Sequence, residues 1–131
     1  MSFFARVSVL AMLTGLPLTL ASPALAHHGW AWTSTDARFE LSGTLTEIYI
    51  GHPHATVEID DGETIWHVDL APLAATLAAG FDETAVAIGE PVTVIGHRAA
   101  DAGQARMKAV RVVTSSGTFD VYPRRAAALG D

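Results

Sequence analysis

Cysteine is absent from this chain of 131 residues, which excludes disulfides and every thiolate site, including structural zinc centres and iron–sulfur clusters. Methionine is scarce, and beyond residue 12 only Met107 remains, so a thioether site for cuprous copper within one chain is not expected. Basic residues number eight against 14 acidic ones, a formal net charge of −6. This acidic balance argues against nucleic-acid binding, which needs a basic face.

Long apolar runs are also lacking. The best candidate, residues 7–20, is interrupted by Thr14, Gly15 and Pro17 and is shorter than the ~20 residues of a membrane span. Arg6 precedes this run, and the small-x-small pattern of residues 24–26 follows it. The arrangement predicts a signal peptide over residues 1–26, cleaved after Ala26, and a periplasmic or secreted protein. Loss of Arg6 would leave a net charge of about −7.

Cleavage after Ala26 would make His27 the amino terminus, followed by His28. A terminal histidine offers a metal both its α-amine and its ring nitrogen, a chelate that no internal histidine can form. The reference pKa of the amine, about 7.7–8.0, lets a metal displace its proton near neutrality. The pair therefore indicates metal binding, and the alternative is an exposed chain end.

The remaining chain is long enough for one domain. We predict an arm over residues 27–38, a domain over 39–123 and a tail over 124–131. Trp30 and Trp32 lie two residues apart, so in an extended arm they share a face and pin the arm to the domain. Proline and glycine mark predicted breaks in the domain at Pro53, Asp61-Gly62 and Pro91. These breaks separate segments of alternating apolar residues.

These segments predict a long first strand over residues 39–50, a hairpin of strands at 55–60 and 64–70, a short helix from Pro72 to Gly80, and strands at 92–97, 106–114 and 118–122. The apolar parity changes within the first strand, which indicates a bulge that Gly43 eases. A bent first strand and a helix between strands three and four are typical of the OB barrel. We therefore predict a mainly β fold, a small OB-like β-barrel of five to six strands, with another small barrel or sandwich as the alternative.

Several short motifs, taken together, make the chain similar to a family of small exported bacterial proteins known as a domain of unknown function. They are His27-His28, the strand at residues 41–46, the Pro53-His54 pair, the Val-Thr-Val-x-Gly-x-Arg-Ala segment at 92–99 and Ala-Val-Arg-Val-Val at 109–113. The family has Asn where this chain has His52. The resemblance implies export and fold, and it implies no activity.

All six histidines follow the predicted signal, and neutral imidazole suits Cu(II), Zn and Ni. His52 and His54 flank Pro53 and share a side if that segment is extended. Together with the terminal chelate they would give three or four nitrogen ligands, the geometry of a copper site. We therefore predict metal ligands at His27, His28, His52 and His54 and Cu(II) as the preferred ion, with Zn possible. The alternative for His52 and His54 is turn chemistry with surface imidazoles.

The other polar candidates have simpler interpretations. His67 shares a strand face with Asp69, as a ligand and its orienting carboxylate or as exposed residues. His97 adjoins Arg98, which disfavours a metal there. Surface ion pairs are the expected role of the basic residues on the last strands, Arg98, Arg106, Lys108 and Arg111.

The sequence thus predicts a transition-metal-binding protein for sequestration, delivery or sensing, with no nucleic-acid partner and no stable membrane insertion. One alternative is a metal-independent envelope module that binds a protein or small ligand. Another is a copper redox enzyme with a terminal-histidine site. No other catalytic motif is present: the chain has no cysteine nucleophile, Gly-x-Ser-x-Gly elbow, phosphate-binding glycine loop or His-Glu-x-x-His pair.

Overall fold

A computed structural model describes residues 29–129 of the chain. The predicted signal peptide and the two histidines at 27 and 28 lie outside these residues. The elements in chain order are β1 (Phe39–Tyr49), β2 (His54–Asp60), β3 (Ile65–Pro72), α1 (Leu73–Ala78), β4 (Pro91–Arg98), β5 (Arg106–Thr114), β6 (Gly117–Asp120) and α2 (Pro123–Ala126). None of the helices in this part of the chain is long and apolar enough to cross a membrane.

Five of the strands close into a barrel. The sheet order is β3-β2-β1-β4-β5-β6, and β3 also pairs with β5 in parallel, which joins the two sides. This closing seam consists of three residue pairs, His67–Arg106, Val68–Met107 and Asp69–Lys108. A closed five-stranded barrel with a helix between β3 and β4 confirms the predicted OB-like fold. The sixth strand, β6, extends the sheet beyond β5.

The bend predicted in β1 is present as a bulge against β2 between Leu45 and Glu47. The bulge lets one strand pair with β2 along its second half and with β4 along its first half. Gly43 lies next to this bulge, and a Cβ placed there would clash with the carbonyl oxygen of Asp60. The predicted bulge is therefore present, and the glycine allows a close approach of β1 to the end of β2.

The hairpin of β2 and β3 has the predicted alternation. Trp66, Val68 and Leu70 are buried, whereas Ile65, His67 and Asp69 lie on the outer face. The connection is a four-residue loop over residues 61–64 rather than the predicted two-residue turn. The difference arises because Asp61 accepts hydrogen bonds from the backbone of Glu63 and Thr64 and from the Trp66 indole, which favours a longer turn.

The core fills the barrel with aliphatic side chains from all five strands, including Leu45, Ile59, Leu70, Val94 and Val112. The segment between β3 and β4 covers this core. Its Phe81 is fully buried and meets Phe119 of β6 edge-on, with ring centroids 5.4 Å apart. Thr76 in α1 is also fully buried and donates its hydroxyl to the carbonyl of Ala71.

The arm that precedes β1 lies against the barrel. A bridge between Thr33 and Ala99 and a hydrogen bond from the Ser34 amide to the carbonyl of Arg98 hold its backbone. Trp30 and Trp32 both contact cations of β5, which confirms that the two rings pin the arm to the domain. At the other end of the domain, the residues predicted as a tail begin with the short helix α2.

Candidate functional site

A cleft of about 340 Å³ lies between the arm and the outer face of the barrel. The side chains that line it come from the arm, from the end of β1, from the β1–β2 loop and from strands β2, β3 and β5. It therefore spans the closing seam between β3 and β5. Its volume is at the lower end of the range for small-molecule sites, ~300–1,000 Å³.

An ion pair across the seam forms part of the wall. Arg106 of β5 donates from both Nε and Nη2 to the same oxygen of Asp69 in β3, at 2.8 and 2.7 Å. The guanidinium also lies over the Trp32 ring, 4.1 Å from its centroid. Burial raises the pKa of Asp69, but hydrogen bonds and charges from His67 and Arg106 outweigh it and hold that pKa below its usual value.

Lys108, the only lysine of the chain, is 3% exposed and also lines the cleft. Its Nζ donates to the carbonyl of Gly29 at 3.2 Å and lies 4.8 Å from the centroid of the Trp30 ring. Burial lowers the pKa of this ammonium, while the charge of Asp69 acts in the opposite direction. The arm thus covers Lys108, and Lys108 in turn binds the arm through the carbonyl of Gly29.

The structure separates the two predicted loop ligands. His54 begins β2, is half-buried and lines the cleft. His52 is exposed and is not among the lining residues. The segment is a loop with a cis His52–Pro53 peptide, and the Tyr49 hydroxyl donates to the carbonyl of His52 at 2.9 Å. The alternation expected of an extended segment therefore does not apply here.

The other two predicted ligands, His27 and His28, lie outside the described residues. The next residue, Gly29, is the one whose carbonyl Lys108 binds. Gly29 is not among the residues that line the cleft, but its carbonyl accepts a hydrogen bond from Lys108, which does line it. Within residues 29–129, no group of three or more His, Asp or Glu side chains is arranged to hold a metal ion.

His67 lies beside the site on the outer face. Its Nε2 is 3.5 Å from an oxygen of Asp69, and its Nδ1 is 3.8 Å from an oxygen of Glu58. The hydrogen bond with Asp69 raises the pKa of this imidazole, in opposition to its partial burial. The predicted pairing of His67 with Asp69 on one face is confirmed, and Asp69 gives its other oxygen to Arg106.

The remaining histidine and two other basic residues are structural. His97 is buried, with its Nδ1 2.9 Å from the carbonyl oxygen of Ala37. Arg111 pairs with Asp120 at 2.6 Å, as expected of a surface ion pair. Arg98 places its guanidinium 5.3 Å from the ring centroids of both Phe39 and Trp66.

Sequence reasoning missed the importance of Lys108, for which it predicted a surface ion pair. A lysine on the outer face of a strand is normally exposed, but Trp30 of the arm and Tyr122 after β6 both contact this one, and it is buried. The available signal was the pair Trp30 and Trp32 in a short arm, since two such rings need partners, and cations are frequent partners of indoles.

Comparisons with known proteins give a family and a set of similar folds. Residues 16–108 match a family of unknown function, DUF6152. No curated protein matches the chain. Among solved structures, the Stn1–Ten1 complex of S. pombe has 13% identity and a TM-score of 0.49, covering 70% of this chain and 64% of that one.

Two further structures are similar at the same level. The ZRD-deleted mutant of TiaS in complex with agmatine has 18% identity and a TM-score of 0.49, covering 64% of this chain and 26% of that one. Yeast Stn1 and Ten1 have 14% identity and a TM-score of 0.44, covering 59% of this chain and 42% of that one. The chain spans less than two thirds of the length of each. The family match covers more than half of the residues, and the protein is thus a member of the DUF6152 family built on an OB-like barrel.

Proposed function

We propose that this protein is an exported transition-metal-binding protein that prefers Cu(II) and serves in sequestration, delivery or sensing. In this proposal His27 is the processed amino terminus and gives both its α-amine and its ring to the metal. His54 gives a third nitrogen from the cleft wall. His28 and His52 are the candidates for a fourth.

One contact carries the proposal. Lys108 holds the carbonyl of Gly29, and Lys108 and His54 line the same cleft. In the proposal, the two residues that directly precede Gly29 turn toward this cleft; consecutive Cα atoms are ~3.8 Å apart. A terminal amine and a ring brought there would meet the imidazole of His54.

The composition of the cleft supports nitrogen ligation by the arm. Within residues 29–129 no group of three or more His, Asp or Glu side chains is arranged to hold a metal ion, and the proposed site therefore includes ligands from residues 27 and 28. Nitrogen ligands without thiolates favour Cu(II) in the usual order of divalent affinities.

The test is a calorimetric titration of the exported, processed protein with Cu(II) and with Zn(II). We expect 1:1 binding that is tighter for Cu(II). A variant with one extra residue before His27 should bind at least tenfold more weakly, a loss of ~1.4 kcal/mol, because it lacks the terminal chelate. His54→Ala should also weaken binding at least tenfold.

His67→Ala is the matched control, because His67 lies on the same outer face but does not line the cleft. Its affinity for Cu(II) should change less than twofold. Mass spectrometry of the exported protein fixes the amino terminus independently. Equal affinity in the extended and processed forms, or a start other than His27, would overturn the terminal-histidine site.

A further inference from the structure

We propose that the cleft also binds a small organic carboxylate with a flat apolar body, independently of any metal. The inference goes beyond the proposed function, because it uses the cations and aromatic rings of the cleft rather than its histidine. It rests on the charges of the residues that line the cleft and on the aromatic and apolar side chains among them.

The charge comes from two cations of β5 and one carboxylate. Arg106 and Lys108 both line the cleft, and Asp69 is the acidic residue among the lining side chains. The cleft therefore carries one surplus positive charge in a protein whose net charge is −6. A localised positive site on an acidic protein favours an anionic ligand by electrostatic complementarity.

The guanidinium offers directed donors as well as charge. Asp69 accepts one N–H from Nε and one from Nη2 of Arg106, and the group has three further N–H bonds, at Nη1 and Nη2, on a side chain that is 33% exposed. Stacking on Trp32 and the ion pair fix the plane of the group, so little freedom is lost when a ligand binds to it. A carboxylate is the anion whose planar geometry matches such a group.

The walls select the body of the ligand. The lining residues include the aromatic side chains of Trp32 and Tyr49, together with Pro53 and Thr56. Tyr49 is 48% exposed and is held in place by its hydrogen bond to the carbonyl of His52. A flat ring stacks well on such side chains, and a volume of about 340 Å³ limits the ligand to a small molecule.

The experiment is an NMR titration of the exported, processed protein with benzoate in the presence of a chelator. Benzamide, acetate and inorganic phosphate are titrated in parallel. We expect saturable binding of benzoate, with the largest shifts at Trp32, Tyr49 and Arg106. Benzamide lacks the charge and acetate lacks the ring, so each should bind at least tenfold more weakly.

Arg106→Gln should weaken benzoate binding at least tenfold. If that variant does not fold because Asp69 loses its partner, Asp69→Asn combined with Arg106→Gln provides the same test without an unpaired carboxylate. Arg111→Gln is the matched control, since Arg111 is on the same strand and pairs with Asp120 away from the cleft. Its affinity should stay within twofold of the original.

Three results would overturn the inference: no saturation with benzoate, equal binding of benzoate and benzamide, or unchanged affinity in the Arg106 variants. Tighter binding of phosphate than of benzoate would do so too, because it would replace the carboxylate with a simple anion site. The chelator separates this test from the copper titration, so either proposal can fail alone.

Discussion

Two segments cover the barrel by opposite means. The segment between β3 and β4 buries Phe81, Ala85 and Val86 in the core, so its attachment is continuous with the hydrophobic interior. The arm keeps Trp30 and Trp32 half-buried and holds them through cations, Arg106 of β5 over Trp32, and Lys108 of β5 and Arg125 of α2 over Trp30. Cation–π contacts contribute ~0.5–2 kcal/mol each. We therefore expect the arm to open while the barrel stays folded, whereas the segment between β3 and β4 should open only when the barrel unfolds.

The largest loss of stability is expected where the segment between β3 and β4 enters the core. Phe81→Ala should lower the free energy of unfolding by about 3–5 kcal/mol, because a fully buried ring leaves a cavity. Chemical denaturation followed by circular dichroism measures the change. Leu77→Ala is the control: Leu77 is 46% exposed in the same segment, and the change should be within ~0.5 kcal/mol. Equal costs at the two positions would contradict the assignment of Phe81 to the core.

An intermediate effect is expected at the attachment of the arm. Lys108→Met keeps a long side chain but removes the ammonium that binds Gly29 and faces Trp30. The Ser34 amide, which donates to the carbonyl of Arg98, should exchange its hydrogen about tenfold faster, from the loss of contacts of ~1–2 kcal/mol. Amides within β1 should keep their exchange rates.

Hydrogen exchange measured by NMR reports separately on the arm and on the barrel in the Lys108→Met experiment. Arg124→Met, at an exposed position near the chain end, is the matched control and should leave the exchange rates of the arm and barrel amides unaltered. If the arm and barrel amides exchanged faster by the same factor, the arm and the barrel would open as one unit, and the expected independent opening of the arm would be wrong.

The smallest effect is the pH dependence from His67. Its pKa is raised above the ordinary value of a histidine, ~6.5, chiefly by the hydrogen bond with Asp69. A raised pKa means that the stabilisation is fully present below the unfolded-state pKa and is lost as pH rises through the folded-state pKa. With the ring 42% exposed, we expect a few tenths of a kcal/mol after solvent screening.

An NMR titration of the His67 ring gives this pKa directly. Glu58→Gln should lower it only slightly, because Glu58 contributes least among the causes of the shift. The difference in stability between the original protein and His67→Gln should shrink between pH 5 and pH 9. A ring that titrates at or below 6.5 would remove the basis for this prediction.

The sequence predicted the barrel because its signals are local. Each of these signals depends on a few neighbouring residues: a change in which alternate positions are apolar, a turn residue, or the proline at 72 that begins the helix. They predicted the order of the elements along the chain, the β1 bulge and the inward residues of β3. The cleft depends on long-range contacts. Arg106 meets Asp69 across 37 residues, and Lys108 meets Gly29 across 79. The periodicity of a single segment does not predict contacts between residues that lie so far apart in the chain.

The same limit explains the loop histidines. Alternation treats His52 and His54 alike, but the loop conformation around Pro53 leaves one exposed and the other half-buried at the cleft. His54 could be proposed from sequence as one of a pair, and only the structure distinguishes the two positions.

The short parallel seam has a consequence for the order in which the cleft comes into being. A chain that has formed only the β1–β2–β3 meander already holds Tyr49, His54 and Thr56 on one surface. The opposite wall, with Arg106 and Lys108, arrives only when β5 joins β3 through three residue pairs, after a long loop has been closed. The cleft is therefore a property of the completed barrel, and a half-folded or newly emerging chain has no cleft in which to hold a ligand.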